Sequence, residues 1–320
     1  MSTAAEIRVT PVADREALEI QVPASIANLG PGFDTLAVAV QLYLRLTVRT
    51  VPGHGKLNFR FIGQDLCGEN AIERAFRFLA RQNGGAFPSL SVEVRSEIPM
   101  RAGLGSSAAA TVAGLRMYEA LTGPLPTQAI LNAACALEAH PDNAAAALLG
   151  GLTASCQLPD GSIYATTIQW PESLAFVVVT PDVPLTTAES RKALPILVPR
   201  SDVVFNLQRI ALLLQSLQNR DFSLLKQTLG DRLHQPFRQK LVPGLSQALS
   251  LEHDDLLGVC LSGSGPSIVA LAETSLDEIA ELLASVYQPL GVGCRVRTLK
   301  VHQRSSGKQR AVYRRRLISR

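Results

Sequence analysis

The chain has 320 residues, of which 47% are hydrophobic, and its formal net charge is +4. A chain of this length can bury one large core or two modest ones, and we expect two lobes. Seven cations and no acid lie in the last twenty residues, so the first 300 residues carry a net charge of −3. This balance excludes a basic nucleic-acid-binding surface over the body of the protein.

The five cysteines are odd in number, and no two are closer than 21 residues. This pattern suggests neither a disulfide framework nor a paired set of zinc ligands, so we expect buried free thiols in a reducing compartment. The first residues lack the apolar run of a secretion signal, and no segment approaches the roughly 18 apolar residues of a membrane span. We therefore expect a cytoplasmic protein without a membrane partner.

Strand patterns dominate the first hundred residues. Apolar and polar residues alternate over 42–48 and again over 57–61, which predicts half-buried antiparallel strands. Apolar residues at helical spacing over 72–79 predict a helix that ends at Gly84-Gly85, and 90–94 reads as another strand.

The rest of the chain alternates helices with strands. The helix over 202–217 is predicted to bury the line of Val203, Leu207, Ile210 and Leu214. The tail, 302–320, is charge-dense and poor in apolar residues, so we expect it to be flexible. The other elements predicted here are helices at 106–121, 127–138 and 275–286, strands at 174–180 and 294–300, and a strand, loop and strand over 256–272.

A glycine-rich segment, PMRAGLGSSAAA over 99–110, joins a predicted strand to a predicted helix. Gly103 and Gly105 allow close backbone approach, and the start of the helix presents unpaired N–H groups to an anion such as a triphosphate. Ser106 or Ser107 could cap the helix or reach a phosphate-bound Mg²⁺. The segment is neither a Walker A loop nor a dinucleotide fingerprint. An ordinary serine-capped helix after a tight turn is the alternative interpretation.

The whole segment resembles the ATP loop of the GHMP kinases, a superfamily named for galactokinase, homoserine kinase, mevalonate kinase and phosphomevalonate kinase. The resemblance implies ATP and Mg²⁺ as cofactors, with the metal on Glu138 and Ser106. The implied ATP-binding residues are Pro99, Met100, Arg101, Ala102, Gly103, Leu104, Gly105, Ser106, Ser107, Ala108 and Ala109.

Further segments resemble the homoserine kinase branch in particular. PASIANLGPGFD over 23–34 is similar to its first motif, and EAHPDN over 138–143 is similar to its next motif. LSGSGPS over 261–267 resembles the carboxyl-terminal glycine motif that packs against the phosphate loop. The segments 186–195 and 231–238 resemble those that supply carboxylate-binding arginines.

These matches imply substrate contacts from Asn28, Asp34, Thr187, Arg191 and Arg238, and catalytic roles for His140, Asp142 and Asn143. The set suits L-homoserine, a zwitterion whose pocket needs cations for the carboxylate, an anion for the ammonium and neutral groups near the hydroxyl. Taken singly, each residue has an ordinary alternative. The arginines could be surface ion-pairing residues, the aspartates turn or cap residues, and His140 a loop hydrogen-bonding residue.

Two departures from the family pattern surround the second motif. Ala139 stands where the family usually has glycine, and 144–146 reads Ala-Ala-Ala instead of Val-Ala-Pro. Neither change removes a predicted ligand. We expect them to alter slightly the turn that holds Glu138 and Asp142.

The resemblance implies a two-lobed α+β fold. Residues 1–168 would form a ribosomal-protein-S5-type lobe that binds ATP, and 169–301 a ferredoxin-like lobe, with the tail beyond. The activity implied is ATP-dependent phosphorylation of L-homoserine, and the resemblance leaves room for a homodimer. A sister kinase acting on another alcohol, such as an isoprenoid intermediate, and a non-catalytic binding protein are the alternatives.

Positioning and electrostatic stabilisation would supply most of the rate in such an enzyme. Asn143 lies where sister kinases such as mevalonate kinase place an aspartate base, and an amide cannot usefully accept a proton. We therefore expect attack by the neutral alcohol with late loss of its proton. Asp142 is the competing candidate for a base.

Overall fold

A computed structural model describes residues 16–63, 69–303 and 314–317. The strands of the larger sheet are β1 (Glu16–Ala27), β2 (Leu36–His54), β3 (Leu57–Ile62), β4 (Pro88–Ser96), β5 (Leu152–Gln157), β6 (Ile163–Ile168) and β11 (Arg314–Leu317). Those of the smaller sheet are β7 (Ala175–Pro181), β8 (Gly258–Leu261), β9 (Ile268–Ala272) and β10 (Cys294–Leu299).

The helices fall into two groups along the chain. Those before β5 are α1 (Ala71–Gln82), α2 (Ser106–Thr122), α3 (Thr127–Glu138) and α4 (Pro141–Leu149). Those after β7 are α5 (Thr187–Lys192), α6 (Arg200–Asn219), α7 (Leu225–Thr228), α8 (Gln235–Arg238), α9 (Leu245–Leu249) and α10 (Leu276–Ser285). The α+β class predicted from the sequence is confirmed.

The larger sheet has the order β11-β1-β2-β4-β3, with β5 on the first part of β2 and β6 on β5. The pair β3 and β4 is parallel, and the other pairs are antiparallel. The antiparallel expectation is therefore wrong for β3. The reason is α1, a crossover helix that returns the chain so that β4 runs in the same direction as β3.

The smaller sheet, ordered β10-β7-β9-β8, shares one core with the larger sheet and has a second core of its own. Every residue of β7 is buried. Because side chains alternate along a strand, Phe176 and Val178 join the first core while Val177 and Val179 join the second. The proposed domain boundary at 168/169 falls between β6 and β7.

Most predicted elements form where the sequence pattern placed them. Leu42, Leu44, Leu46 and Val48 are at most 8% exposed on β2, and the predicted line of α1 is buried. The motif around Asp142 is an exception, because the sequence pattern indicates a turn there. Pro141 begins α4 and places Asp142 in the first helical turn, since the fixed φ of proline suits that position.

The buried face of α6 differs in part from the prediction: Ile210 and Leu214 of the predicted line pack against the core, but the line does not describe the whole face. Leu207 on the predicted line is 61% exposed, whereas Asn206, Leu213 and Leu217 are buried. Asn206 donates hydrogen bonds to the Pro31 carbonyl at 3.1 Å and to Asp231 Oδ1 at 2.7 Å. A buried amide with two partners therefore turns the helix toward a face that apolar periodicity alone does not indicate.

The basic tail is not wholly free. Arg314–Leu317 form β11, which pairs antiparallel with Glu16–Glu19 of β1, so the expectation of a flexible tail is wrong for these four residues. An edge strand has unpaired backbone N–H and C=O groups, and these can hydrogen-bond to another strand regardless of the side chains that the added strand carries. Earlier in the tail, His302 exchanges backbone hydrogen bonds with Ala39 and Gly151. Residues 304–313 and 318–320 lie outside the described chain.

Four cysteines lie in the described part of the chain, and all are free. Cys135 and Cys260 are buried as expected, but Cys294 is half-buried and Cys156, near the end of β5, is exposed, so the burial expectation is wrong for the last two. Cys67 lies outside the described residues. None of the helices in the described ranges is long and apolar enough to cross a membrane.

Candidate active site

A cavity of about 260 Å³ opens at the amino-terminal end of α2. Its walls come from both halves of the chain, including the loop before β2, the junction of α3 and α4, and the α5 and α8 region. The cavity brings together all eight residues predicted to bind or act on the acceptor, namely Asn28, Asp34, His140, Asp142, Asn143, Thr187, Arg191 and Arg238.

The phosphate loop has the backbone that close anion approach requires. Gly105, immediately before α2, has φ of +68°. No side chain of the described residues caps the helix, so neither Ser106 nor Ser107 plays the capping role considered above. The first N–H groups of α2 therefore remain available to an anion. On the other side, Ser262 Oγ donates to the Gly103 carbonyl at 2.7 Å. The glycine motif at 261–267 thus packs against this loop.

The predicted ATP-binding residues lie in four different kinds of place. Seven line the cavity, namely Arg101, Ala102, Gly103, Gly105, Ser106, Ser107 and Ala108. Leu104 and Ala109 are buried in the core, at 1% and 0% exposure, and hold the loop from behind. Met100 borders the neighbouring cavity described below, and Pro99 borders neither.

Glu138 ends α3 and points its carboxylate at the start of α2. Its Oε1 accepts from Ser107 Oγ at 3.1 Å, Thr111 Oγ1 at 2.5 Å and Arg74 Nη2 at 3.2 Å. The next residue, Ala139, has φ of +65°, a left-handed conformation that costs an alanine roughly 1 kcal/mol. Glycine adopts this conformation without the cost, which explains why it suits the position. In this chain the alanine adopts the same conformation.

A carboxylate beside hydroxyl groups and a phosphate loop fits Mg²⁺, which binds proteins through one or two carboxylates together with substrate phosphates. Ser107 is the serine that contacts Glu138, whereas the sequence pointed to Ser106. Both serines line the cavity.

Asp142 is buried in the cavity floor, at 3% exposure. Its Oδ1 accepts from the backbone N–H of Asn143 at 2.7 Å and from the Asn143 side-chain amide at 3.3 Å. Burial raises the pKa of Asp142 from 3.8 to about 6, although the hydrogen bond from the Asn143 backbone lowers it.

Asp142→Asn is expected to stabilise the protein at neutral pH. Because the pKa is higher in the folded state, ionisation of Asp142 opposes folding; this penalty grows above pH 3.8 and is complete above pH 6. The pKa difference corresponds to about 3 kcal/mol at pH 7.5 and about 1 kcal/mol at pH 4.5. Urea unfolding at the two pH values measures the gap between variant and wild type. An equal gap at both would contradict the titration of Asp142.

Asp34 and Arg191 form an ion pair at the cavity wall. Arg191 Nη2 lies 2.5 Å from Asp34 Oδ1, and His140 Nδ1 lies 3.8 Å from the other carboxylate oxygen. Burial, followed by the charge of Arg191, lowers the pKa of His140. His140 is therefore neutral at pH 7 and can offer a hydrogen bond without adding charge.

Arg238 is buried at 1% exposure and borders the cavity. Its Nη1 donates to the Gly263 carbonyl at 2.9 Å and lies 3.1 Å from His234 Nδ1. His234 Nε2 lies 2.8 Å from the Gly30 carbonyl, and burial lowers the pKa of His234 to about 4. The imidazole is therefore neutral, accepting from Arg238 and donating to Gly30. Among the described residues, no carboxylate pairs with Arg238 within 4.0 Å.

Phe33 lies next to both cavity arginines. The guanidinium carbons of Arg191 and Arg238 are each 5.4 Å from its ring centroid, and His234 stacks on it at 5.3 Å. Cation–π contacts of this kind stabilise a guanidinium without neutralising it. Both guanidinium groups thus keep their charge at the cavity, where Arg191 is paired with Asp34 and Arg238 has no carboxylate partner among the described residues.

Asn28 and Thr187 both contact the turn at Gly263 and Ser264. Asn28 Nδ2 donates to the Gly263 carbonyl at 3.1 Å, and its Oδ1 accepts from the Asp34 backbone at 3.2 Å. Thr187 Oγ1 lies 3.4 Å from Ser264 Oγ. Both therefore shape the cavity as well as bordering it.

A second cavity, of about 220 Å³, adjoins the other face of the phosphate loop and shares Arg101, Ser106 and Ser107 with the first. It was not foreseen from the sequence. Its apolar wall is formed by residues that are far apart in the sequence, namely Leu44, Phe61, Ile72, Val94, Ile98, Met100 and Ala110.

Comparison with known proteins supports the family resemblance seen in the sequence motifs. The model of the GHMP kinases N terminal domain matches residues 70–151, and that of the GHMP kinases C terminal domain matches 213–288. A homoserine kinase of Solibacter usitatus is 39% identical over 276 residues, spanning 84% of this chain and 90% of that protein. The chain belongs to the homoserine kinase family of GHMP kinases. A homoserine kinase of Moorella thermoacetica, 37% identical over 88% of this chain and 96% of its own, is a second such relative.

Solved structures agree with this membership of the homoserine kinase family. The homoserine kinase of Cytophaga hutchinsonii has a TM-score of 0.81 at 25% identity, over 92% of this chain and 98% of that one. Mevalonate kinase of L. major has a TM-score of 0.64 at 18% identity, over 92% of this chain and all of its own, and shows the shared fold alone. The predicted two-lobed GHMP kinase fold is confirmed.

Several cavity residues of this homoserine kinase family member were not predicted from the sequence. Phe33 lay inside a matched motif, but its contacts depend on α5 and α8 meeting the loop before β2. Leu185, Thr186 and Ser264 lie beside predicted residues and gave no chemical signal of their own.

Proposed function

We propose that the chain transfers the γ-phosphoryl group of ATP to the side-chain hydroxyl of L-homoserine, giving O-phospho-L-homoserine for threonine biosynthesis. The observation that carries the proposal is Arg238, a buried cation at the acceptor cavity with no carboxylate partner among the described residues. Leaving a buried charge unpaired is costly, so a ligand carboxylate at this place would stabilise it. L-Homoserine carries that carboxylate.

The other groups of L-homoserine also find complementary partners. Arg191 would share the carboxylate with Arg238, since both side chains have a buried Nε without a hydrogen-bond partner in the described structure. Asp34 would receive the ammonium, and Asn28 and Thr187 would lie near the hydroxyl. A hydroxy acid of the mevalonate type has no ammonium and would leave Asp34 without a ligand partner.

The phosphates of ATP would lie on the first N–H groups of α2, with the base in the apolar second cavity on the other face of the loop. Glu138, with the hydroxyl of Ser107 or Ser106, would hold Mg²⁺. The metal would supply positive charge to the phosphate oxygens during transfer.

In the proposed mechanism the cavity aligns a neutral alcohol with the phosphoryl group, and the proton leaves late. His140 and Asn143 would orient the reacting groups through hydrogen bonds. Asp142 would hold the substrate, so Asp142→Asn should raise the KM for homoserine at least as strongly as it lowers kcat. A collapse of kcat at unchanged KM, with loss of an acidic limb in the pH profile, would make Asp142 the base.

An ADP-release assay tests the proposal with Mg·ATP and a panel of L-homoserine, L-homoserinamide, mevalonate and no acceptor. We expect kcat/KM for L-homoserine to exceed the others by about 100-fold or more, because a site built for charged groups rejects analogues that lack them. Preference for mevalonate would favour a sister kinase. Nucleotide binding without turnover on any alcohol would favour a binding protein.

We also propose a cytoplasmic location, which suits a metabolic kinase. A homodimer stays a prediction that analytical ultracentrifugation can check.

A further inference from the structure

Ser25 lies directly beneath the phosphate loop, on β1, and is 0% exposed. Its backbone N–H donates to the Leu104 carbonyl at 3.2 Å, and its Oγ donates to Asn143 Oδ1 at 2.7 Å. A Cβ at Gly105 would overlap this hydroxyl and come within 3.0 Å of Asn143 Oδ1. The Ser25–Asn143 hydrogen bond therefore lies against the loop that would hold the phosphates.

The partners of Asn143 determine which way its amide faces. Its Nδ2 lies 3.3 Å from Asp142 Oδ1, and an ionised carboxylate oxygen can only accept. The amide nitrogen is therefore on the Asp142 side and the amide oxygen on the Ser25 side. With Ser25 donating, the oxygen of Asn143 is engaged, and one N–H of the amide has no protein partner in the described structure.

We propose that Ser25 is a positioning residue that holds the Asn143 amide oxygen toward β1, so that Asn143 offers the reacting groups its N–H donor and not its oxygen. Such a donor would be directed at oxygen, either of the acceptor hydroxyl or of the phosphoryl group, both of which carry lone pairs during transfer. The inference rests on the proposed kinase function. It does not depend on which alcohol is the substrate.

A purely structural role for Ser25 has different consequences. If the hydroxyl only tied β1 to α4, its loss would lower stability without separating kcat from KM. If it orients the amide, its loss lets the amide rotate and present its oxygen, which weakens an interaction made in transfer and leaves ground-state binding intact.

The test is steady-state kinetics of Ser25→Ala, measured with whichever alcohol the wild type phosphorylates best. We expect kcat to fall about three- to tenfold, the rate equivalent of one neutral hydrogen bond, with both KM values within about twofold of wild type. Ser89→Ala is the matched control, because Ser89 is a serine at 2% exposure on β4 of the same sheet, outside both cavities. It should keep wild-type kcat.

A double-mutant cycle with Asn143→Ala tests whether Ser25 affects kcat through Asn143. Ser25→Ala should lower kcat little further once the amide is gone. A full additional loss in that background, or a raised KM at unchanged kcat, would overturn the inference. Absence of homoserine turnover in the wild type, with another alcohol accepted, would instead overturn the proposed substrate and leave the Ser25 test intact.

Discussion

Gly105→Ala is expected to lower ATP-dependent turnover by about 100-fold or more. The φ of +68° at Gly105 is one that alanine adopts only with strain, and the added Cβ would overlap the fully buried Ser25 hydroxyl. The start of α2 must then shift, and a displacement of about 1 Å at a site of transfer can cost roughly 100-fold in rate. Initial-rate assays of ADP release and titration of ATP binding measure the effect.

Gly123→Ala is the matched control, because it introduces backbone strain at a positive φ without a steric clash between the added Cβ and a neighbouring atom. Gly123 follows the other end of α2 and has φ of +111°, and a Cβ added there would meet no atom of the described residues within 4 Å. It should lose some stability and keep its turnover, as thermal unfolding and rate assays of both variants will show. Wild-type ATP affinity in Gly105→Ala would contradict the assignment of this loop to phosphate binding.

The elements that could be predicted from the sequence are those in which one local pattern decides the structure. The alternation over 42–48 has one buried side and one solvated side, and β2 follows it. The ends of α3 at Thr127 and Glu138 were also predicted. In these segments, local preference and tertiary packing agree.

The predictions failed where a distant residue or strand decided the outcome. The face of α6 depends on Asn206 finding Pro31 and Asp231, which are far from it in the sequence. The pairing of β11 depends on the free edge of β1 at the opposite end of the chain. The local sequence of α6 does not indicate its contacts with Pro31 and Asp231, and the local sequence of β11 does not indicate its pairing with β1.

The candidate site shows the same division. Charged residues that lie within recognisable motifs, such as Asp142 and Arg191, were predicted as site residues, and they border one cavity. Their supports were not predicted. Ser25 contacts Asn143 and His234 contacts Arg238, through hydrogen bonds that exist only after β1, α4 and α8 have packed together.

Arg238→Ala is expected to lower kcat/KM for L-homoserine by about 30- to 1,000-fold, mostly through KM. The carboxylate is remote from the reacting hydroxyl, so its binding energy should be nearly equal in the ground state and the transition state. Loss of one buried, charge-assisted partner costs about 2–4 kcal/mol, which corresponds to that range. Kinetics at saturating ATP measure the two parameters separately.

L-Homoserinamide, which keeps the hydroxyl and the ammonium but lacks the carboxylate, tests the assignment from the ligand side. If Arg238 binds the carboxylate, the variant and the wild type should differ much less with the amide than with homoserine. Arg232→Ala provides the matched control, since Arg232 lies on the same segment with its side chain 50% exposed and outside the cavity. An equal loss with both substrates would instead mean that Arg238 supports the fold through Gly263 and His234, and that the carboxylate binds elsewhere.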